Sequence, residues 1–273
     1  MREISYYDIE SKVYEAIGSA AINLNQFTLD KIKCAKEKES DSLSKNVLTD
    51  IYNNALLAKE KQIPMCQDTG IVVVFAEVGY DVHLNCDLYE AINSGVKKAY
   101  NEFYLRKSVA DPLSRINTKD NTPAIVHTKL VKGDNIKLKI ALKGAGSENM
   151  SRLKMMNPTD SFSDIIEFVK ETVVLAGGKP CPPLFIGLGI GGNFETCALL
   201  AKEAIYEETH GKYKDLEEKI VNELNKLNVG PMGLKGKTTC FDVFIKTLPC
   251  HIASLPVAVN IQCHANRHIE VII

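Results

Sequence analysis

Apolar residues recur at helical spacing over residues 6–24, where Ile9, Val13, Ala16, Ile17 and Ala20 share one face. The same period, with Leu29 and Ile32, predicts a second, short helix over 27–39. It runs into the charge run Lys36-Glu37-Lys38-Glu39, which reads as a solvated face. Ser40 to Ser44 supply a turn or cap, and a third helix follows with Val47, Ile51 and Ala55 inward, ending before Pro64. The pattern then changes. Ile71-Val72-Val73-Val74-Phe75 is a continuous apolar run bounded by Gly70 and Gly79, so it predicts a strand over 71–77, with a second over 81–84. A helix is expected over 87–105, carrying Ile92, Val96, Ala99 and Phe103. Strands are expected near 124–130 and 135–142, the latter alternating from Ile136 to Leu142. A helix over about 160–175 would bury Ile165, Phe168, Val169 and Val173, with Thr159 or Asp160 as its cap. A strand over 184–189, helices from about Phe194 and over 213–227, a strand over 240–247 and an apolar segment over 255–273 complete the chain.

The order of these short strands and turns is irregular, which disfavours a doubly wound parallel sheet. The expectation is an α/β fold of the α+β type, with helices around mixed, largely antiparallel sheets. It is read as one domain over 1–273, with a helical N-terminal portion over about 1–63. No internal repeat or low-complexity tract is visible.

Composition narrows the functional classes. Of the 273 residues, 45% are hydrophobic and 25% charged, as in an ordinary globular protein. The net charge of -1 leaves no electrostatic footprint for nucleic acid. No signal peptide and no apolar span of membrane length appears, so no membrane association is expected and the expected compartment is the cytoplasm.

Two nucleotide-binding motifs are approached and missed. Gly187-Leu188-Gly189-Ile190-Gly191-Gly192 follows a strand and opens a helix, but no glycine falls in register for the dinucleotide fingerprint. Gly236-Lys237-Thr238 matches the end of a phosphate loop, yet Pro231 stands where the first glycine belongs, and the segment enters a strand rather than leaving one. The long polar stretch 107–123, bracketed by Arg106 and Arg115, reads either as surface loop or as a clamp carrying an anion-binding guanidinium. Lys143-Gly144-Ala145-Gly146-Ser147-Glu148-Asn149 reads as a nest of backbone donors able to hold a carboxylate, or as a tight turn.

Eight cysteines are the remaining chemistry. In a cytoplasmic chain of this length a disulfide framework is not expected, and no pair has the short spacing of a structural zinc site. Three have unusual settings. Cys66 opens Cys66-Gln67-Asp68-Thr69-Gly70 at the mouth of a strand, Cys181 lies in Gly177-Gly178-Lys179-Pro180-Cys181-Pro182-Pro183, and Cys263 ends the run Val257 to Gln262. Cys34 and Cys197 sit within helices and read as incidental and as a buried inert thiol. Three separated thiolates suit a four-iron cluster with one iron left open to substrate oxygens.

Taken together, these motifs resemble the alpha subunit, equivalently the N-terminal half, of the class I, iron–sulfur-dependent fumarate hydratases and the related L-tartrate dehydratases. Cys66-Gln67-Asp68-Thr69-Gly70 resembles that family's first cluster-ligand motif. Leu105-Arg106 with 117–123 resembles its arginine-bearing segment, and 143–149 its glycine loop. Pro180-Cys181-Pro182-Pro183 and the stretch from Cys250-His251 through Gln262-Cys263 resemble the segments that carry the other two ligands. The resemblance covers essentially the whole chain. It departs from the family at Lys235, where relatives carry a glycine.

The resemblance implies that Cys66, Cys181 and Cys263 ligate a [4Fe-4S] cluster. It implies that Gln67, Asp68 and His251 face the substrate, with Asp68 as the acid–base candidate. Arg106 would pair with a substrate carboxylate, and the loop of Gly144 and Gly146 would pass close to cluster and substrate. The implied reaction is reversible hydration of fumarate to L-malate; the alternative is dehydration of L-tartrate to oxaloacetate. The implied partner is a fumarate hydratase beta subunit in an α2β2 assembly, with an alpha–alpha dimer also open. A reading of another class, a zinc-stabilised interaction protein without catalysis, would show zinc without acid-labile sulfide.

Overall fold

The computed structural model describes residues 2–273. In chain order it contains β1 (Arg2–Ile4), α1 (Tyr6–Ile22), α2 (Gln26–Lys38), α3 (Ser42–Lys61), β2 (Ile71–Gly79), β3 (Val82–Leu84), α4 (Leu88–Glu102), β4 (Ile125–Val131), β5 (Ile136–Lys143) and α5 (Ala145–Glu148). It continues with β6 (Arg152–Met156), α6 (Phe162–Ala176), β7 (Leu184–Gly191), α7 (Phe194–Ala204), α8 (Lys214–Asn225), a 3-10 turn (Pro231–Gly233), β8 (Cys240–Leu248), β9 (Leu255–Gln262) and β10 (His268–Ile272). No helix among the described residues is long and apolar enough to cross a membrane.

The chain divides into two compact units, one of 1–25, 54–145 and 267–273, the other of 26–53 and 146–266. Each is built on one four-stranded mixed sheet. In the first the order is β10-β5-β2-β4; in the second it is β6-β9-β7-β8. The pairing logic is the same in both: antiparallel, antiparallel, then parallel. The fold is thus α/β with largely antiparallel sheets, as the irregular strand order implied.

In the first unit α1 and α4 cover the sheet. Ile9, Val13, Ala16, Ile17 and Ala20 of α1 are buried, the face that the periodicity picks out. They pack with Ile92, Val96 and Ala99 of α4 and with Val72, Val74, Leu138 and Ile140 of the sheet. Ser5 and Asp8 form a capping box that starts α1, each side chain accepting from the other residue's backbone N–H.

In the second unit α7 lies against β7 at glycines. A β-carbon on Gly187 or Gly189 would stand 1.9 Å from the Ala201 carbonyl oxygen or 2.0 Å from that of Cys197. The glycine-rich run 187–192 therefore serves helix-on-sheet packing. The phosphate-loop look-alike is structural as well. Thr239 Oγ1 accepts from the Val229 and Gly230 N–H groups at 3.1 Å each, Ser44 Oγ donates to the Lys235 carbonyl at 2.8 Å, and Lys237 N–H donates to Glu39 Oε2 at 2.8 Å.

Three local expectations are corrected. Glu39, read as part of a solvated charge run, is buried, because its carboxylate also accepts the Ser40 and Asp41 N–H groups at 2.8 and 3.0 Å. The cap of α6 is Ser161, not Thr159 or Asp160: Ser161 and Asp164 close a capping box, while Asp160 accepts from the Asn157 N–H. Strands β1 and β6 were not anticipated; each is short and made by pairing, with β3 and β9 respectively.

The second unit also buries charge. Glu217 of α8 accepts the Ile245 N–H at 2.7 Å with one oxygen and meets His210 Nδ1 at 2.7 Å with the other. His210 Nε2 lies 3.5 Å from Asp242 Oδ2, which Lys31 also reaches. Glu217→Ala leaves a buried N–H and a histidine without their acceptor, so a loss of about 3 kcal/mol is expected. Glu217→Gln, which keeps the acceptor for Ile245, should lose less. Urea unfolding of both variants checks this; equal, small losses would mean that water replaces the carboxylate.

Candidate active site

The residues singled out in the sequence fall into both units. Cys66, Gln67, Asp68, Arg106 and Gly144 belong to the first; Gly146, Cys181, His251 and Cys263 belong to the second.

In the first unit the loop 66–70 is fixed from several sides. Gly70 has φ +80°, and a β-carbon there would stand 2.7 Å from the Lys143 nitrogen, so the backbone of β5 closes over a residue that must be glycine. Tyr100 donates its hydroxyl to the Thr69 carbonyl at 2.7 Å and is 3.2 Å from that of Gly70. Burial pushes the Tyr100 phenol well above its usual range, so it remains a donor. Thr69 Oγ1 donates to the Arg106 carbonyl at 2.8 Å, which ties the cysteine loop to the arginine.

The 107–123 segment is anchored to the same loop. Asn121 is fully buried; its Oδ1 accepts from Ser108 and Val109 at 2.6 and 3.2 Å, and its Nδ2 donates to the Gly70 carbonyl at 3.3 Å. Asp111 closes the tip by accepting from Leu113 and Ser114, and these bonds hold its carboxyl below the usual range. Arg106 and Arg115 are exposed.

Asp68 is held by backbone amides. Oδ1 accepts the Gly70 N–H at 2.9 Å and Oδ2 the Ala145 N–H at 2.9 Å. The donor loop read from 143–149 thus does bind a carboxylate, that of Asp68. Gly144 is needed for this approach: a β-carbon there would stand 3.1 Å from Asp68 Oδ2. Cys66 is half-buried and Gln67 exposed, with Cys66 Sγ 3.4 Å from Gln67 Oε1.

In the second unit the loops of Cys181 and Cys263 are joined. His264 bonds the Cys181 carbonyl twice, through its N–H at 3.4 Å and its Nδ1 at 2.9 Å. Nδ1 therefore carries the proton in that contact. Cys181 itself has φ +54°. Gly146 faces the Lys179 carbonyl, which a β-carbon would meet at 3.3 Å. His251 stands on an exposed turn between β8 and β9, where its Nδ1 accepts the Ala253 N–H at 3.1 Å. In the neutral ring the proton then lies on Nε2, which makes the outer edge of the ring a donor. Cys250 is engaged within the same turn, Sγ to the Ser254 carbonyl at 3.2 Å.

All eight cysteines are thiols rather than half-cystines. Cys66, Cys181 and Cys263 are half-buried on loops, whereas Cys197 and Cys240 are fully buried and burial pushes their thiols up. Among the described residues no group of three His, Cys, Asp or Glu side chains is placed to hold a single metal ion. A cleft of about 590 Å³ in the first unit, lined by Tyr14, Glu15, Glu102, Phe103 and Tyr104, contains none of the predicted site residues.

The partners of Asp68 and of the 66–70 loop were not legible in sequence. Asn121 and Ala145 lie within the 117–123 and 143–149 motifs but nothing in those motifs pairs them with this loop, and Tyr100 belongs to no motif.

Comparison with known proteins agrees with this set of motifs. The family model described as Fumarate hydratase (Fumerase) matches residues 10–272. A relative from Methanocaldococcus jannaschii, named "Putative L(+)-tartrate dehydratase subunit alpha", is 41% identical over 95% of both chains. The L(+)-tartrate dehydratase subunit alpha of Escherichia coli K12 is 28% identical over 88% of this chain and 82% of its own length. This chain belongs to the class I fumarate hydratase and L-tartrate dehydratase alpha-subunit family of hydro-lyases.

Proposed function

We propose that this chain is the alpha subunit of a two-subunit L-tartrate dehydratase, which converts L-tartrate to oxaloacetate and water. The observation that carries this reading is the 41% identity to the M. jannaschii relative over 95% of both chains. The E. coli relatives with tartrate dehydratase names point the same way. A fumarate hydratase alpha subunit, the first expectation from the motifs, is the second reading, favoured by the description of the family model.

The donor set suits an iron–sulfur cluster. Soft thiolates select iron–sulfur clusters, and Cys66, Cys181 and Cys263 are half-buried on loops. They are unlike Cys197 and Cys240, which are buried with their thiols pushed up, and unlike Cys86, which is half-buried on a loop but whose thiol is also pushed up by burial. The lack of a single-ion site does not bear on this, since a cubane offers each thiolate its own iron. Cys66, Cys181 and Cys263 would be the ligands. When bound, a [4Fe-4S] cluster with one open iron supplies a Lewis acid that polarises a hydroxyl leaving group.

The chain's own residues then have distinct tasks. Asp68, whose two oxygens each accept one backbone amide, would move a proton with one of its carboxylate oxygens. The exposed Gln67 carboxamide and the Nε2–H of His251 donate to substrate oxygens. Arg106, whose carbonyl is tied to the cysteine loop, pairs with a substrate carboxylate through its fork of donors. Gly144 and Gly146 leave room for close approach of the backbone. Because tartrate keeps a second hydroxyl where malate has hydrogen, a tartrate site needs one further hydrogen-bond partner.

A beta subunit completing the site, an α2β2 assembly and a cytoplasmic location are parts of the same proposal; the "subunit alpha" in the relatives' names supports the first. The test is anaerobic reconstitution of the chain with iron and sulfide, with and without the candidate beta subunit. Turnover of L-tartrate, fumarate and L-malate is then compared. Higher kcat/KM on L-tartrate, appearing only on mixing, is expected. A preference for fumarate and malate would return the first reading, and full activity of the chain alone would remove the partner.

A further inference from the structure

The least explained polar group in the first unit is Arg267. It is 1% exposed, and its Nε and Nη1 have no hydrogen-bond partner. A buried guanidinium is costly unless an anion offsets it. Its backbone is fixed: the Arg267 carbonyl accepts the Leu142 N–H at 3.0 Å, and the next residue, His268, pairs with Ala141 where β10 meets β5. That register sets Arg267 beside the end of β5, where Lys143 and Gly144 lead into the Asp68-binding amide of Ala145.

The side chain turns toward the same place. A β-carbon on Gly144 would stand 3.1 Å from Asp68 Oδ2 and 3.9 Å from Arg267 Nη2, so carboxylate and guanidinium flank one glycine. The Tyr100 phenol, which supports the 66–70 loop, feels both charges: Arg267 favours its ionised form and Asp68 opposes it.

We infer that Arg267 is the positioning residue of this site, a walled-in cation whose field across the Gly144 notch holds the Asp68 carboxylate in place. The pull is electrostatic, because both Asp68 oxygens already accept from backbone amides. Low local dielectric makes such a field strong without direct contact. Arg267 itself, sealed from solvent, is not a substrate ligand. The catalytic part of the inference rests on the proposed hydro-lyase role of Asp68; the coupling of the two side chains does not.

The experiment has two arms. In the metal-free full chain, a double-mutant cycle compares urea midpoints of the wild type, Asp68→Asn, Arg267→Gln and the double variant. The midpoint shift caused by Arg267→Gln should be at least halved, or reversed, in the Asp68→Asn background. Equal shifts in both backgrounds overturn the inference, since a merely structural arginine is additive. If Arg267→Gln does not fold, Arg267→Met, which also removes the charge while keeping an apolar stem, takes its place in the same cycle under the same criterion. In the reconstituted complex, Arg267→Gln should lower kcat about 10- to 100-fold, as for other residues that orient a reacting group, with KM within about twofold, and Arg267→Lys, which keeps the charge, should restore most of that loss. An unchanged kcat in Arg267→Gln also overturns it. A wild-type complex that turns over no dicarboxylate defeats the functional reading instead, and the cycle is still decisive for the pair.

Discussion

Replacing Cys66, Cys181 or Cys263 with serine is expected to abolish cluster loading and activity, while Cys34→Ser and Cys197→Ser leave the cluster in place. A cubane with one open iron has no ligand to spare, so losing any of its three thiolates removes it rather than weakens it. The five cysteines differ in setting. Cys66 begins a loop pinned by Tyr100 and Asn121, and Cys181 and Cys263 lie on loops joined through His264. Cys34 is exposed on α2 and Cys197 is buried in α7 with its thiol pushed up. Cys197→Ser is expected to cost stability through packing, because the side chain is fully buried, without touching the cluster. Iron and acid-labile sulfide analysis with the visible absorption band reads the outcome. Equal loss in all five variants would mean that the thiols are needed for folding, and retention in any of the first three would remove that residue from the ligand set.

Gly144→Ala should cost about 3- to 10-fold in kcat while leaving the fold intact. No positive φ is required at this position, so alanine brings no backbone strain. Its methyl group would stand 3.1 Å from Asp68 Oδ2 and 3.4 Å from Asp68 Cγ, a contact that the carboxylate relieves by moving. A 3.1 Å contact is relieved by a shift of a few tenths of an ångström; with a displacement of about 1 Å at a reacting group worth roughly 10²-fold in rate, a loss of about 3- to 10-fold is expected here. Gly70→Ala is the contrasting change: there φ is +80° and the obstruction is the backbone of β5, so stability falls with activity. Steady-state kinetics and thermal unfolding of both variants separate the two. A Gly144→Ala protein with unchanged kcat would take Asp68 out of the chemistry.

Most secondary structure was legible because it follows local periodicity. The buried face of α1, the apolar run of β2 and the alternation of β5 each lie in one continuous window. Reading failed where a residue's partner is remote. Glu39 looks like one more surface charge until its carboxylate is seen to accept amides from 40, 41 and 237. Strand β6 is set by pairing with β9, about a hundred residues away, and its own five residues do not alternate cleanly.

For the site, the family and the candidate residues could be read from the sequence: the thiol, amide and carboxylate of Cys66-Gln67-Asp68, the two further loop cysteines, Arg106, His251 and the glycine loop, as the resemblance implies. Motifs are continuous in the chain, so the resemblance that proposes these residues could be recognised without the fold. Only the tertiary structure decided what surrounds them. It showed that the amide of Ala145 holds Asp68, that Asn121 fastens the 107–123 segment to Gly70, and that Arg267 is buried across Gly144 from the carboxylate. The physical reason is that hydrogen bonds and fields act through space. A residue becomes a neighbour of Asp68 when sheet register brings it there, as the pairing of β10 with β5 does for Arg267, whatever its distance along the chain.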